Sequence, residues 1–158
     1  MFQNSSIRAS RQQVYINSLY GGILNCPVDH IAVDILLDGL CIEYDGGGHD
    51  IQVRLNEISE DVYSGKEKER EEYLLSHGYK IMRIISHDDK IPSDEVLLTM
   101  LNDAKEYLSQ ESTTRICFNI NDGTLFTEYN VDASPYDYGK LRRISEKDIT
   151  QKEVNNVA

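Results

Sequence analysis

The chain has 158 residues, 40% hydrophobic and 27% charged, so it can bury a core and is not a disordered tract. A formal net charge of −11, from 27 acidic against 16 basic side chains, argues against simple electrostatic binding of nucleic-acid phosphates. No run approaches the roughly 20 apolar residues of a membrane span, and Cys26, Cys41 and Cys117 lack the spacing of a disulfide framework or a structural zinc site.

The opening MFQNSSIRAS has no apolar run after a basic cluster, so no secretory signal is expected and a reducing cytoplasm is the default. Ser10 then suits the N-cap of a helix carrying Val14, Tyr15, Leu19 and Tyr20, stopped by Gly21 and Gly22. Ile23 to Val28 contains Pro27 and suits an edge strand. Two β-branched, apolar runs follow on either side of Asp38-Gly39. That dipeptide predicts a tight hairpin, because a type I′ turn needs positive φ at both central residues.

Asp50 to Gly65 reads as a loop, with at most a helical turn. Ser64 is the expected cap of a very polar helix ended by Gly78. Tyr79 to Ile85 is β-rich and reads as a buried strand. Pro92-Ser93 opens a helix whose Val96, Leu97, Met100, Leu101, Ala104, Tyr107 and Leu108 form a core-facing stripe. Arg115–Ile120 and Thr124–Tyr129 flank Asn121-Asp122-Gly123 as a second hairpin. Asp132 to Ala158 is polar and is expected to be a partly ordered tail. The element order predicts an α/β layer with a mixed sheet packed against helices.

The Asp38-Gly39 turn fixes a register. Leu37 faces Leu40, Leu36 faces Cys41, Ile35 faces Ile42, and Asp34 faces Glu43, while alternation puts Asp45 on the face of Glu43. Opposed like charges destabilise a sheet unless something neutralises them. Carboxylate oxygens suit magnesium or manganese. A wet face on a one-sided sheet is the alternative, but Ala32, Leu36 and Cys41 share this face and make it unevenly polar. His49 follows Asp45 across three glycines, which let the backbone bend sharply toward a ligand.

The stretch VDILLDGLCIEYDGGGH resembles the motif of the very-short-patch-repair-like branch of the PD-(D/E)XK nucleases, which includes the EDxHD homing endonucleases. Val33-Asp34 stands at the strand aspartate, and Ile42-Glu43-Tyr44-Asp45-Gly46 with His49 matches the central box. Glu67, Arg70, Tyr73, Leu74, Gly78 and Tyr79 fit the next helix and turn, and Arg83-Ile84 ends the following strand. The resemblance covers about Ile7 to Leu108. Two positions depart from it. Gln12 stands where the first helix usually carries a glutamate, and Asp45 stands where the parent motif has lysine.

The resemblance implies a restriction-endonuclease-like mixed central sheet flanked by helices, with residues 1–112 as the nuclease core, 113–131 as a C-terminal hairpin and 132–158 as the tail. It implies magnesium- or manganese-dependent hydrolysis of DNA phosphodiester bonds, site-specific or nicking, in a bacterial or phage-infected cell. Asp34 and Asp45 would hold the metal. Glu43, Gln12 and Glu67 would complete the site, and His49 would carry a proton. Arg70 is a candidate phosphate contact, although an ordinary surface ion pair with neighbouring glutamates fits it better. Lys140, Arg142 and Arg143 form a basic cluster that could touch the DNA backbone, set against the plainer reading of a solvated segment. A homodimer or larger complex would fit the acidic charge. The rival readings are a catalytically degenerate nuclease fold and an acidic DNA mimic that inhibits by binding protein. Glu57 to Glu72, with seven acids and three bases, gives the mimic its support.

Overall fold

The computed structural model describes residues 9–47, 60–127 and 133–150. Helix α1 (Arg11–Tyr20) begins with a complete capping box. The Ser10 hydroxyl accepts from the Gln13 N–H, and the Gln13 side chain accepts from the Ser10 N–H. Gly21 ends the helix at φ 77°, in the left-handed region where a side chain would be strained. Strands β1 (Ile23–Val28), β2 (Ile31–Leu37) and β3 (Leu40–Asp45) form an antiparallel meander. Pro27 lies on β1, at the sheet edge, where a missing N–H costs no ladder bond.

The β2–β3 register matches the expectation from the turn. Leu37 pairs with Leu40, Leu36 with Cys41 and Ile35 with Ile42. Asp38 and Gly39 have φ of 48° and 81°, as a type I′ turn requires. Helix α2 (Glu60–Ser76) starts earlier than expected, so Ser64 sits inside it and is not its cap. Strand β4 (Lys80–Ile85) then joins β3 in parallel.

The short β5 (Lys90–Ile91) leads to α3 (Asp94–Leu108), capped by Ser93, and then to β6 (Arg115–Asn119) and β7 (Thr124–Thr127). Strand β8 (Ser134–Pro135) extends the main sheet, giving seven strands in the order β1-β2-β3-β4-β6-β7-β8. Strand β9 (Arg142–Arg143) pairs with β5 in a separate ribbon. The sheet is mixed: β3, β4 and β6 run parallel, and the flanking pairs are antiparallel.

Alternation along the central strands separates two interiors. Leu40, Ile42 and Tyr44 of β3, with Met82 and Ile84 of β4, pack with Tyr15, Ile16 and Tyr20 of α1 and with the α3 stripe. Cys41 and Ile81 pack on the other face with Leu74 of α2. By the same period of two, Glu43, Asp45 and Arg83 belong to the α2 face.

Of the region expected to be a polar tail, the described residues 133–150 are part of the fold. Tyr138 and Ile144 are buried in the α1–α3 interior, and the Tyr138 hydroxyl donates to the Thr124 carbonyl at 2.5 Å. Its apolar residues are few and aperiodic, so neither helix nor strand patterning reveals that they reach the core.

Candidate active site

The Asp34–Glu43 position lies just beyond the three paired rungs of the hairpin, and there the two acids bond to the backbone across the strands. The Asp34 N–H donates to Glu43 Oε2 at 3.0 Å, and the Tyr44 N–H donates to Asp34 Oδ2 at 2.9 Å. The two carboxyl groups are also close enough to hydrogen-bond each other. Two acids can approach so closely in a buried place only if they share a proton or gain a cation.

Burial is the largest influence on both. It raises the Asp34 pKa despite the Tyr44 N–H and nearby Arg70. It raises that of Glu43 to about 7, with the Asp34 charge adding to the effect and Arg70 opposing it. Glu43 is only 2% exposed.

Helix α2 closes this face with charged groups where apolar ones would be expected. Glu67, Arg70, Glu71 and Leu74 follow the i, i+3, i+4, i+7 spacing of a buried helical stripe. Arg70 pairs with Glu43 and donates to the Ala32 carbonyl at 2.6 Å. It is therefore not the surface ion pair expected from its glutamate neighbours. Arg83, on β4, bonds Asp45 at 2.7 Å, Glu67 at 3.2 Å and Glu71 at 2.7 Å. Glu71 also bonds Arg115 of β6 at 3.0 Å. Burial pulls the Arg83 pKa down, but Asp45, Glu71, Glu43 and Glu67 together outweigh it and hold the guanidinium charged.

Asp34, Glu43, Asp45 and Glu67 thus line one cavity of about 250 Å³ with Arg70 and Arg83. Gln12 does not line it. Its amide is buried and donates to the Asp89 carbonyl at 3.0 Å, in the turn between β4 and β5. The neighbouring Gln13 lines the cavity instead. Asp89 also accepts from the Gly47 N–H at 3.0 Å, which fixes the chain just after Asp45. A Cβ on Gly46 would lie 2.2 Å from the Asp89 carboxylate, so this close approach requires glycine. His49 lies outside the described residues.

The basic cluster is not assembled at the site. Arg142 bonds Asp94 at 2.7 Å and the Tyr15 hydroxyl at 2.9 Å, and lies over the Tyr15 ring. Arg143 donates to the Asp88 carbonyl at 2.7 Å. Lys140 is exposed. Arg142 fastens the C-terminal segment to α1 and α3 and is not free for phosphate.

The roles of Glu71, Arg83 and Arg115 escape a reading along the chain. Their signal is the α2 stripe just described and lone arginines inside the apolar strands KIMRII and RICFN. The donor set fits a hard divalent cation. It is all oxygen, and five carboxyls (Asp34, Glu43, Asp45, Glu67, Glu71) against three guanidiniums (Arg70, Arg83, Arg115) leave two negative charges when all are ionised. Among the described residues no three His, Cys, Asp or Glu side chains already form a metal cage. The acids face arginines instead.

No protein-family model, no curated protein and no solved structure matches the chain. Among the described residues no helix is long and apolar enough to cross a membrane.

Proposed function

We propose that the protein is a metal-dependent endonuclease acting on DNA phosphodiester bonds, with the restriction-endonuclease-like core that its sequence motif resembles. One observation carries this reading. Asp34, Glu43 and Asp45, from paired strands, meet Glu67 and Arg70 of α2 in one oxygen-rich cavity whose acids outnumber its arginines by two. The helix, three-strand meander, helix, parallel-strand order supports the fold assignment.

Asp34 and Asp45 would hold magnesium, with manganese as a substitute. The Tyr44 N–H engages one oxygen of Asp34 and Arg83 one oxygen of Asp45, and a metal at Asp34 would replace its carboxyl contact with Glu43. A bound divalent cation supplies Lewis-acid polarisation of a phosphate oxygen and a more acidic water. The chain's own groups do the positioning. Arg70 holds Glu43 against Asp34, and Arg83 fixes Asp45 relative to Glu67. His49, four residues beyond Asp45 in the sequence, is the proposed proton carrier near neutral pH.

The test is cleavage of supercoiled plasmid by the full chain with magnesium, with manganese and with chelator. Metal-dependent nicking or linearisation is expected. It should fall by at least about 100-fold in Asp34→Asn and in Asp45→Asn, the scale on which loss of a key electrostatic group acts. Cutting that survives chelator, or cutting by both variants at the wild-type rate, refutes the assignment.

A second reading has its own observation. Arg83 and Arg70 already answer Asp45 and Glu43, as in a fold that keeps the acids for structure. A catalytically degenerate nuclease fold would show no metal-dependent cutting and no metal-dependent rise in melting temperature.

A further inference from the structure

A second cavity opens beside the acidic one. It has a volume of about 600 Å³ and lies between the β1–β2 turn and α2, within the size range of small-ligand sites. Arg70 lines both cavities, so the two lie side by side with its side chain between them. Ile31 and Ala32 provide apolar lining, and Tyr73 and His30 provide rings. The His30 and Tyr73 rings meet edge to face at 4.8 Å, and Tyr73 stacks on His77 at 4.2 Å. The Tyr73 hydroxyl is held by Asp29 at 2.6 Å, so the aromatic platform is fixed before any ligand arrives. Lys66 lines the groove one helical turn before Arg70 and is exposed, with Glu69 as the acid on the same lining.

We propose that this groove binds an unpaired DNA nucleotide next to the phosphate held in the acidic cavity, its base against His30 and Tyr73 and its phosphate on Lys66. The inference rests on the nuclease reading for the identity of the strand. It adds the preference for an unpaired base. A base inside a duplex has both faces stacked on its neighbours and cannot use an aromatic platform, whereas an unpaired base can. Lys66 is the groove's exposed cation, and Arg70, already paired with Glu43, offsets the acid Glu69 on the same lining, so the groove is locally less negative than a chain of charge −11.

The test is fluorescence anisotropy of the full chain with a short labelled oligothymidylate and with its duplex, in chelator so that no cutting occurs. The single strand should bind more tightly than the duplex. His30→Ala and Lys66→Glu alter exposed side chains and should each weaken single-strand binding about tenfold. Asp45→Asn should bind no more weakly than wild type while losing cleavage. Unchanged affinity in both groove variants, tighter binding of the duplex, or no single-strand binding overturns the groove assignment. The nuclease reading then stands or falls on the plasmid assay alone. Groove-dependent binding without metal-dependent cutting would instead support the groove and remove the nuclease.

Discussion

Asp34 and Glu43 set two opposing demands on one site. Burial raises both pKa values, helped by the Asp34 charge at Glu43 and by the Asp45 charge at Asp34, so the folded protein holds their protons more tightly than the unfolded chain does. The stability Glu43 contributes is therefore complete below the ordinary glutamate value, about 4.3, and is lost as the pH rises through about 7. Glu71 has the opposite sign. Burial pulls its pKa up, but Arg83 and Arg115 overcome that and hold it below the ordinary value. Its contribution is present above the ordinary glutamate range and is lost as the pH falls through its lowered pKa. Asp34→Asn isolates the first effect, since the amide oxygen can still accept from the Tyr44 N–H. In chelator at pH 8 the variant should be more stable than wild type by about 0.5–1 kcal/mol, the scale of a cross-strand charge pair. The difference should close as the pH falls toward the ordinary aspartate range. Urea midpoints at several pH values check this. A variant less stable at pH 8 would mean that the Asp34 charge is already well compensated by Arg70. Losing cleavage while gaining stability is the behaviour of a carboxylate kept for chemistry.

At the scale of elements, helix α1 meets the cavity directly through Gln13, whereas Gln12 acts on the site only through a turn. Gln12 donates to the Asp89 carbonyl, and the Asp89 carboxylate accepts from the Gly47 N–H, two residues past Asp45. Gln12→Glu would place a buried acceptor against that partly buried carbonyl. The expected result is a loss of about 1–3 kcal/mol, the cost of an unsatisfied buried polar group, with an unchanged magnesium requirement for plasmid cutting. A lowered magnesium requirement would show that the new carboxylate reaches the metal site after all. The family-like spacing from Gln12 to Tyr15 places this residue on the correct helix, but it cannot tell which neighbouring glutamine turns toward the cavity. The hairpin is more legible. Asp38-Gly39 demands one turn, and period two then fixes Ile35 against Ile42. The cations that answer the acids are less so, because Arg83 joins Asp45 from 38 residues away and Arg115 joins Glu71 from 44. Such partners follow from sheet order, which local patterning does not contain.

At the scale of the whole molecule, the C-terminal segment decides whether the α1–α3 interior is closed. Tyr138 and Ile144 enter it at 5% and 4% exposure. Tyr136 donates to Asp103 at 2.6 Å, Arg142 bonds Asp94, and β9 pairs with β5. Burying the Tyr138 and Ile144 side chains contributes roughly 3–6 kcal/mol, at about 1.5–3 kcal/mol for each large apolar group. That is a large share of a domain's usual net stability of about 5–15 kcal/mol. Truncation after residue 132 should therefore unfold most of the protein at ambient temperature, read as lost near-ultraviolet dichroism and a collapsed urea midpoint. Retention of the wild-type midpoint would show that the segment is an appendage. Ile144→Ala gives the graded version, with an expected loss of about 2–5 kcal/mol. Ile144 packs on the sheet face opposite Glu43, Asp45 and Arg83. In whatever fraction remains folded, Ile144→Ala should leave the metal requirement for cutting unchanged, because the acidic cavity is built from the other face.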